Sequence, residues 1–305
     1  MSVPTEAPRR CGFVAVLGAP NAGKSTLVNR LVGAKVSIVS PKVQTTRTRV
    51  SGIAVKDATQ IVFIDTPGIF ATPRRRLERA MIAAAWRGAG DADAVVLVVD
   101  AARKRIDPDT RRIHDELARA GRKTVLALNK IDLVRKDTLL AKADELYKSG
   151  AIADVFMISA TEGEGVDDLM ALLLARMPEG PWHYPEDQLS DMPQRLLAAE
   201  LTREQLFLRL HEELPYSVAV ETEEWEEFKD GSARVAQVIY VERDSQRPIV
   251  LGKGGATIKA IGETARHELE QIMGRKVHLV LRVKQRGDWA ESRELYKDWG
   301  LEWEA

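Results

Sequence analysis

The sequence predicts two domains of different class: a doubly wound α/β domain with a mostly parallel sheet, then a smaller α+β domain. Three observations carry this. Up to residue 177, short β-branched runs alternate with helix-like stretches. A proline-rich stretch then breaks the rhythm. Beyond it the elements return in a new order. A chain of 305 residues is long enough for two such domains.

In the first part the apolar runs are Phe13–Leu17, Ile61–Ile64, Ala94–Val99, Thr124–Leu128 and Val155–Ile158. They are continuous rather than alternating, as expected of strands covered on both faces. Helical patterns lie between or after them, at Lys24–Val32, Leu77–Gly88, Asp109–Ala120, Thr138–Lys148 and Val166–Met177. Pro178, Gly180, Pro181, Pro185 and Pro193 then read as a linker. After it we expect a helix (Gln194–Leu210) and strands around Ser217–Glu221 and Ala233–Glu242. A short apolar turn (Pro248–Leu251), a helix (Ala256–Met273) and a strand (His278–Val283) complete the order. The expected division is a flexible N-terminus at 1–10, a first domain at 11–178, a linker at 179–193 and a second domain at 194–305.

Composition narrows the class further. Hydrophobic residues make up 45%, enough for a proper core. No apolar run approaches the roughly 20 residues needed to span a bilayer, and the first ten residues lack the apolar stretch of a secretory signal. We therefore expect a soluble, cytoplasmic protein. Cys11, the only cysteine, excludes an internal disulfide and a cysteine metal cluster. Net charge is zero, but residues 1–180 hold 28 Lys and Arg against 21 Asp and Glu, and residues 181–305 hold 17 against 24.

Gly18-Ala19-Pro20-Asn21-Ala22-Gly23-Lys24-Ser25 follows an expected strand and precedes an expected helix that continues with Thr26. The two glycines permit a tight loop whose N–H groups wrap phosphates beside a helix N-terminus. Lys24 supplies charge to the outer phosphates, and Ser25 offers a hydroxyl to Mg²⁺. Asp65-Thr66-Pro67-Gly68 ends another buried strand. Asp65 there can hold Mg²⁺ through water, and the Gly68 N–H can meet a γ-phosphate. Alone, that tetrad is a common turn.

Asn129-Lys130-Ile131-Asp132 decides the base. The Asp132 carboxylate accepts both N–H groups on the Watson–Crick edge of guanine, a pair that adenine does not offer. Asn129 suits the O6/N7 edge, the Lys130 stem can lie along the ring, and Ser159-Ala160 offers a backbone N–H to O6. Each element stands at the C-terminal end of an expected strand, where such folds bind ligands. The first domain therefore reads as a P-loop GTPase domain holding GTP or GDP.

The loop residues and Gln44-Thr45-Thr46-Arg47 resemble the translation-factor-like GTPases of the TrmE–Era–EngA type. The resemblance implies that Thr46 closes on Mg²⁺ and the γ-phosphate; the residues alone leave open which of Thr45 and Thr46 does so. It also implies that Asn21 helps hold a monovalent cation, K⁺, against the phosphates, although Asn21 reads equally as a turn-former. Ile69 stands where Ras-type proteins carry a water-positioning glutamine, so intrinsic hydrolysis is expected to be slow. Lys24, Thr46, Gly68 and Asn21 are thus the candidate catalytic residues. Arg74, Arg75, Arg76 and Arg79 read as a solvated face.

In the second domain, Gly252-Lys253-Gly254-Gly255 joins the short apolar turn to a long helix, in the order of a type II KH-like domain. There the loop clamps nucleic-acid backbone and the adjoining groove reads unstacked bases. Glycines let phosphates approach, while Lys253 and Lys259 add charge. From Arg247 to Arg286 nine Lys and Arg face three acids, whereas the acidic residues gather in Glu221–Asp230. A GTPase of this type followed by a KH-like domain is similar to the ribosome-assembly branch of the family. The resemblance implies binding to the 3′ end of 16S ribosomal RNA, a role in 30S subunit maturation, a monomeric protein and peripheral contact with the inner membrane. We expect Trp289–Trp303 to be a helix packed on the domain rather than a membrane anchor. Two alternatives stay open: an RNA-binding scaffold whose nucleotide is never turned over, and a GTPase with a protein partner in place of RNA.

Overall fold

A computed structural model describes residues 8–42, 45–48, 50–70, 73, 75–148 and 150–304. Gln44, Arg74 and residues 1–7, named above, lie outside them. The chain forms two compact units: Met1–Ser37 with Thr46–Asp191 and Glu304–Ala305, and Ile38–Thr45 with Met192–Trp303.

The first unit runs β1 (Arg10–Leu17), α1 (Lys24–Val32), β2 (Val50–Lys56), β3 (Thr59–Asp65), α2 (Arg76–Asp91), β4 (Ala94–Asp100), α3 (Pro108–Arg119), β5 (Thr124–Asn129), α4 (Asp137–Tyr147), β6 (Ile152–Ile158) and α5 (Val166–Arg176). Its sheet has the order β2-β3-β1-β4-β5-β6, parallel except for β2. Alternate residues of one strand serve opposite faces. Val14 and Val16 join a core with Leu27, Val28, Leu169 and Leu173 of α1 and α5. Ala15 and Leu17 join another with Ala85, Ile113, Leu117 and Leu139 of α2, α3 and α4. Both faces are thereby covered, which is why these strands read as continuous apolar runs.

Two features depart from the sequence reading. Strand β2 was not expected, because Ser51 and Gly52 interrupt its apolar pattern. Gly52 is needed there: a Cβ would stand 2.8 Å from the Val32 side chain, so its absence lets α1 pack close. The proline-rich stretch expected as a linker runs along the first unit as far as Asp191. Ile53 N–H donates to Leu189 O at 2.8 Å, Cys11 N–H to Pro178 O at 3.0 Å, and the Gln60 side chain to Tyr184 O at 2.9 Å. This strap covers backbone groups that an edge strand otherwise leaves exposed to wrong pairing.

The second unit contains α6 (Gln194–Arg209), β7 (Val218–Glu227), β8 (Ala233–Val241), α7 (Arg247–Leu251), α8 (Ala256–Met273), β9 (Val277–Gln285) and α9 (Arg293–Asp298). Its sheet is β7-β8-β9, with β7 antiparallel and β9 parallel to β8. The stretch read as an apolar turn, Pro248–Leu251, is the short helix α7. Around Trp289–Trp303 a 3₁₀ turn leads into the six-residue α9, and Trp289, Tyr296 and Trp299 are buried; Trp289 Nε1 donates to Ser217 O at 3.2 Å.

Helix α6 buries polar residues that no amphipathic pattern announces. Thr202 meets Gln237 at 2.6 Å, Gln205 meets Glu268 at 3.0 Å, and Arg203 pairs with Glu200. The segment Ile38–Thr45 belongs to this unit. Ile38 packs with Ala198, Leu201 and Val235, Val39 N–H donates to Glu204 at 2.7 Å, and Lys42 Nζ donates to Leu210 O at 2.7 Å. Lys42 thus places a cation on orphan carbonyls at a helix C-terminus, where the helix dipole favours it.

Candidate functional site

In the first unit the candidate residues converge on one end of the sheet. The loop Gly18–Gly23 leaves β1 and turns into α1, whose N-cap Gly23 holds φ at +96°. Both loop glycines are required by close approach: a Cβ on Gly18 would lie 2.4 Å from Val98 O, and one on Gly23 2.2 Å from Asn129 Nδ2. Asn21 adopts φ +63°, the left-handed region that Asn tolerates best among non-glycine residues. Lys24 is 6% exposed, and its Nζ donates to Gly18 O at 3.2 Å and Ala19 O at 3.1 Å. Burial pulls the Lys24 pKa down to about 8, with the Asp65 charge acting in the opposite direction. Thr26 continues the first turn of α1.

Asp65, at the end of β3, is fully buried. Burial pushes its pKa up, opposed by hydrogen bonds from Ser25 and Ser37, by the Lys24 charge and by the Thr46 hydroxyl. Its Oδ2 accepts from Ser25 at 2.7 Å, Ser37 at 2.6 Å and Thr46 at 3.4 Å, and Ser25 and Thr46 hydroxyls stand 2.9 Å apart. Asp65 Oδ1 is buried with no hydrogen-bond partner among the described residues. A hard divalent cation suits this set: two hydroxyls, one carboxylate and a spare carboxylate oxygen, all oxygen donors.

The two threonines left open by the sequence separate. Thr46 lies with Ser25 and Asp65, whereas Thr45 belongs to the second unit and donates to Lys42 O at 2.7 Å. Gly68 packs closely on Pro20, since a Cβ would come within 3.0 Å of its Cα. The next residue, Ile69, donates its N–H to Gly18 O at 3.3 Å and turns its side chain, 1% exposed, into the core with Leu17 and Val99. Its aliphatic side chain has no group that could orient a water by hydrogen bonding.

The candidate base-reading elements stand on the loops after β5 and β6. Asn129, expected at the O6/N7 edge, also braces the loops around it. Its Nδ2 donates to Ala22 O at 2.9 Å and its Oδ1 accepts from Ala160 N–H at 2.9 Å. The amide therefore braces the phosphate loop against Ser159-Ala160. Lys130 lies across the loop, with Nζ on Asn21 O at 2.8 Å and on Asp100 at 2.7 Å. Asp132 is exposed on the 3₁₀ turn Ile131–Leu133. Ser159 is buried, and its Oγ accepts from Glu162 N–H at 3.1 Å.

Four supporting residues escaped the sequence reading. Arg30 donates to Ala160 O at 3.2 Å and steadies the Ser159-Ala160 loop, Asp100 anchors Lys130, and Asn29 and Ser37 brace the region around Asp65. Arg30, Asp100 and Ser37 act through contacts 28 or more residues away, and Asn29 through contacts seven and eight residues on, which no local motif signals.

In the second unit, Gly252–Gly255 links α7 to α8. Gly252 has φ +75°, and a Cβ there would lie 2.2 Å from the Thr257 hydroxyl. Gly254 and Gly255 hold φ +60° and +79° with open space on the side where a Cβ would project, and Lys253 is exposed between them and Gly252. Beside the loop, Ile258, Lys259, Gly262, Arg266, Leu279 and Leu281 are among the residues lining a groove of about 460 Å³ between α8 and β9. An apolar floor with Lys259 and Arg266, and one acid, Glu263, around it suits stacked bases and a phosphate backbone.

Residues 13–130 match the family model described as 50S ribosome-binding GTPase, and residues 213–290 match the KH domain model. Proteins named GTPase Era are similar across the chain. The one from Maricaulis maris is 54% identical over 98% of this chain and 99% of its own length. That from Sinorhizobium medicae is 58% identical over 97% of this chain and 94% of its own. Among solved structures, Era in complex with MgGDPNP and nucleotides 1506–1542 of 16S ribosomal RNA superposes with a TM-score of 0.89 at 37% identity, covering 96% of this chain and 99% of that one. A variant of Aquifex aeolicus Era bound to GDP and AlF4⁻ gives 0.89 at 38% identity, covering 95% and 99%.

Proposed function

From the premise that this chain belongs to the Era family of GTPases, we propose that it is a GTP-driven switch that binds the 3′ end of 16S ribosomal RNA during assembly of the 30S subunit in the cytoplasm. The observation that carries the reading is the convergence of Lys24, Ser25, Thr46, Asp65 and the braced Ser159-Ala160 loop at one end of a doubly wound sheet. A chain with an open KH-type loop and groove in its other unit fits the RNA half. Crosslinking in cells followed by sequencing of the bound RNA tests it. Enrichment elsewhere than the 16S 3′ end would overturn the RNA assignment.

In this reading Gly18–Ser25 cradles the phosphates with backbone N–H groups, and Lys24 meets the β- and γ-oxygens. Mg²⁺, when bound, neutralises charge on those oxygens; Ser25 and Thr46 would hold it directly and Asp65 through water. Thr46 and the Gly68 N–H sense the γ-phosphate. Loss of those contacts on hydrolysis would release the nucleotide-sensing segments and alter the RNA grip of the second unit. Among the described residues no helix is long and apolar enough to cross a membrane; membrane contact, a trait implied by the family, would be peripheral.

Asp132→Asn should shift preference from GTP toward xanthosine triphosphate, because the amide N–H₂ can meet a carbonyl at C2. Comparing nucleotide affinities of the two proteins checks this; unchanged GTP selectivity would remove Asp132 from the site.

With Ile69 in the core, stabilisation of transition-state charge must come from another group. We assign it to a K⁺ ion held with the help of Asn21, which supplies the positive charge that an arginine finger supplies elsewhere. GTP turnover should then be faster in K⁺ than in Na⁺, and Asn21→Ala should erase the difference. Equal rates of phosphate release in the two salts for the unmodified protein would sink the assignment while leaving GTP binding intact.

A further inference from the structure

Ser37 and Asn29 belong to none of the nucleotide motifs, yet they reach the centre of the site. Ser37 is 3% exposed, and its hydroxyl makes the shortest of the three contacts on Asp65 Oδ2, at 2.6 Å. Its backbone is clamped on both sides by one side chain. Asn29 Oδ1 accepts from the Val36 and Ser37 N–H groups, each at 2.9 Å, and Asn29 Nδ2 donates to Ser37 O at 2.7 Å. Asn29 stands four residues after Ser25 on α1, on the same face of the helix. One helix therefore carries both a candidate metal ligand and the clamp that presents Ser37.

We infer that Ser37 is a positioning residue for the divalent-metal site, and that Asn29 positions Ser37. The terminal torsion of an aspartate is broad, so burial alone does not fix the plane of the carboxylate. Ser25 and Thr46 turn lone pairs to the metal in the proposed loaded state, and Thr46 belongs to the part that responds to nucleotide. Ser37 has no such second task. Its hydroxyl holds Oδ2 and so fixes the carboxylate plane, leaving Oδ1, which has no hydrogen-bond partner among the described residues, available to accept from a water that a bound metal would carry. Partners that orient a ligand without touching the metal commonly set its affinity by about 10- to 100-fold.

The inference rests on the nucleotide-site reading above, and the test separates the two. Release of a fluorescent GDP analogue is followed from the full chain across a Mg²⁺ titration and in excess EDTA. Ser37→Ala should need about 10-fold more Mg²⁺ to retain nucleotide, while release in EDTA stays unchanged. Ser37→Thr, which keeps the hydroxyl, should restore the normal Mg²⁺ dependence, and Asn29→Ala should weaken it in the same direction as Ser37→Ala. An unchanged Mg²⁺ midpoint in Ser37→Ala would overturn the inference. So would release accelerated equally in Mg²⁺ and EDTA, which marks a collapsed loop, or a Ser37→Thr protein as defective as the alanine variant. Failure of the unmodified protein to bind the analogue would instead overturn the nucleotide-site reading.

Discussion

Replacing Lys24 with alanine should lower GTP turnover by about 10³-fold or more, the upper range for losing one preorganised charged donor, yet leave the nucleotide-free fold no less stable. The two halves of this expectation have one origin. The Lys24 ammonium is buried and held by two loop carbonyls, Gly18 O and Ala19 O, in a place shaped for phosphates. Burial lowers its pKa to about 8 against an ordinary value of 10.5. Between those values the unfolded chain keeps a proton that the folded chain releases, so stability of the nucleotide-free protein rises with pH across this window. Below pH 8 the whole penalty applies, ~3 kcal/mol at 1.36 kcal/mol per pH unit. Alanine removes that penalty and with it the charge that a triphosphate needs. Phosphate release and thermal unfolding at pH 7 without nucleotide check both halves. The stabilising shift in melting temperature produced by added GTP should also disappear. Retained turnover would remove Lys24 from the catalytic role; a large fall in the nucleotide-free melting temperature would mean that its two carbonyl contacts outweigh its burial.

Such sites are legible in a sequence because their chemistry is local. A phosphate loop needs its glycines, lysine and serine within eight positions, and a parallel strand buried on both faces leaves a continuous apolar run. Helices α1 and α8 accordingly have the limits that the sequence suggested, Lys24–Val32 and Ala256–Met273. What escaped depends on partners far along the chain. Strand β2 is held by antiparallel pairing with β3 on one side and by the 189–191 strap on the other, so Gly52 and Ser51 are tolerated where a run of Val and Ile was sought. The strap itself, rich in proline and glycine, has the composition of a linker; only its backbone partners show otherwise. Helix α6 breaks the apolar-inside rule because Glu200, Arg203, Glu204 and Gln205 find buried polar partners, which composition does not predict. Asn129 is the clearest case in the site. Its residue type pointed to guanine; that its two amide atoms also bridge the backbone of Ala22 and Ala160, 107 and 31 residues away, no motif announces.

The double substitution Lys253→Asp, Gly254→Asp should weaken binding to the 3′-terminal segment of 16S ribosomal RNA by about 10²-fold or more, since juxtaposed like charges in an interface cost several kcal/mol. The loop geometry makes this a clean test. Gly254 has φ +60°, a region that aspartate enters with less strain than most residues, and nothing lies within 4 Å of the position a Cβ would take. Lys253 is exposed, so its replacement disturbs no packing. Two carboxylates just before α8 also sit at the end of the helix where its dipole favours negative charge, which supports folding rather than opposing it. Gly252 is unsuitable for such a test, because a side chain there would strike the backbone N of Thr257 at 2.7 Å. The weakening should therefore report on the phosphate interaction alone. Besides lower affinity at fixed salt, the slope of log affinity against log salt should become shallower by about one for each phosphate that is no longer neutralised. Intrinsic GTP hydrolysis without RNA should stay near normal, because Gly18–Ser25 is untouched; Lys24→Ala should conversely spare RNA binding by the isolated second unit if that unit folds alone. Unchanged affinity and salt slope in the double variant would refute the clamp at Gly252–Gly255, and a GTPase whose second unit meets a protein partner would become the leading reading.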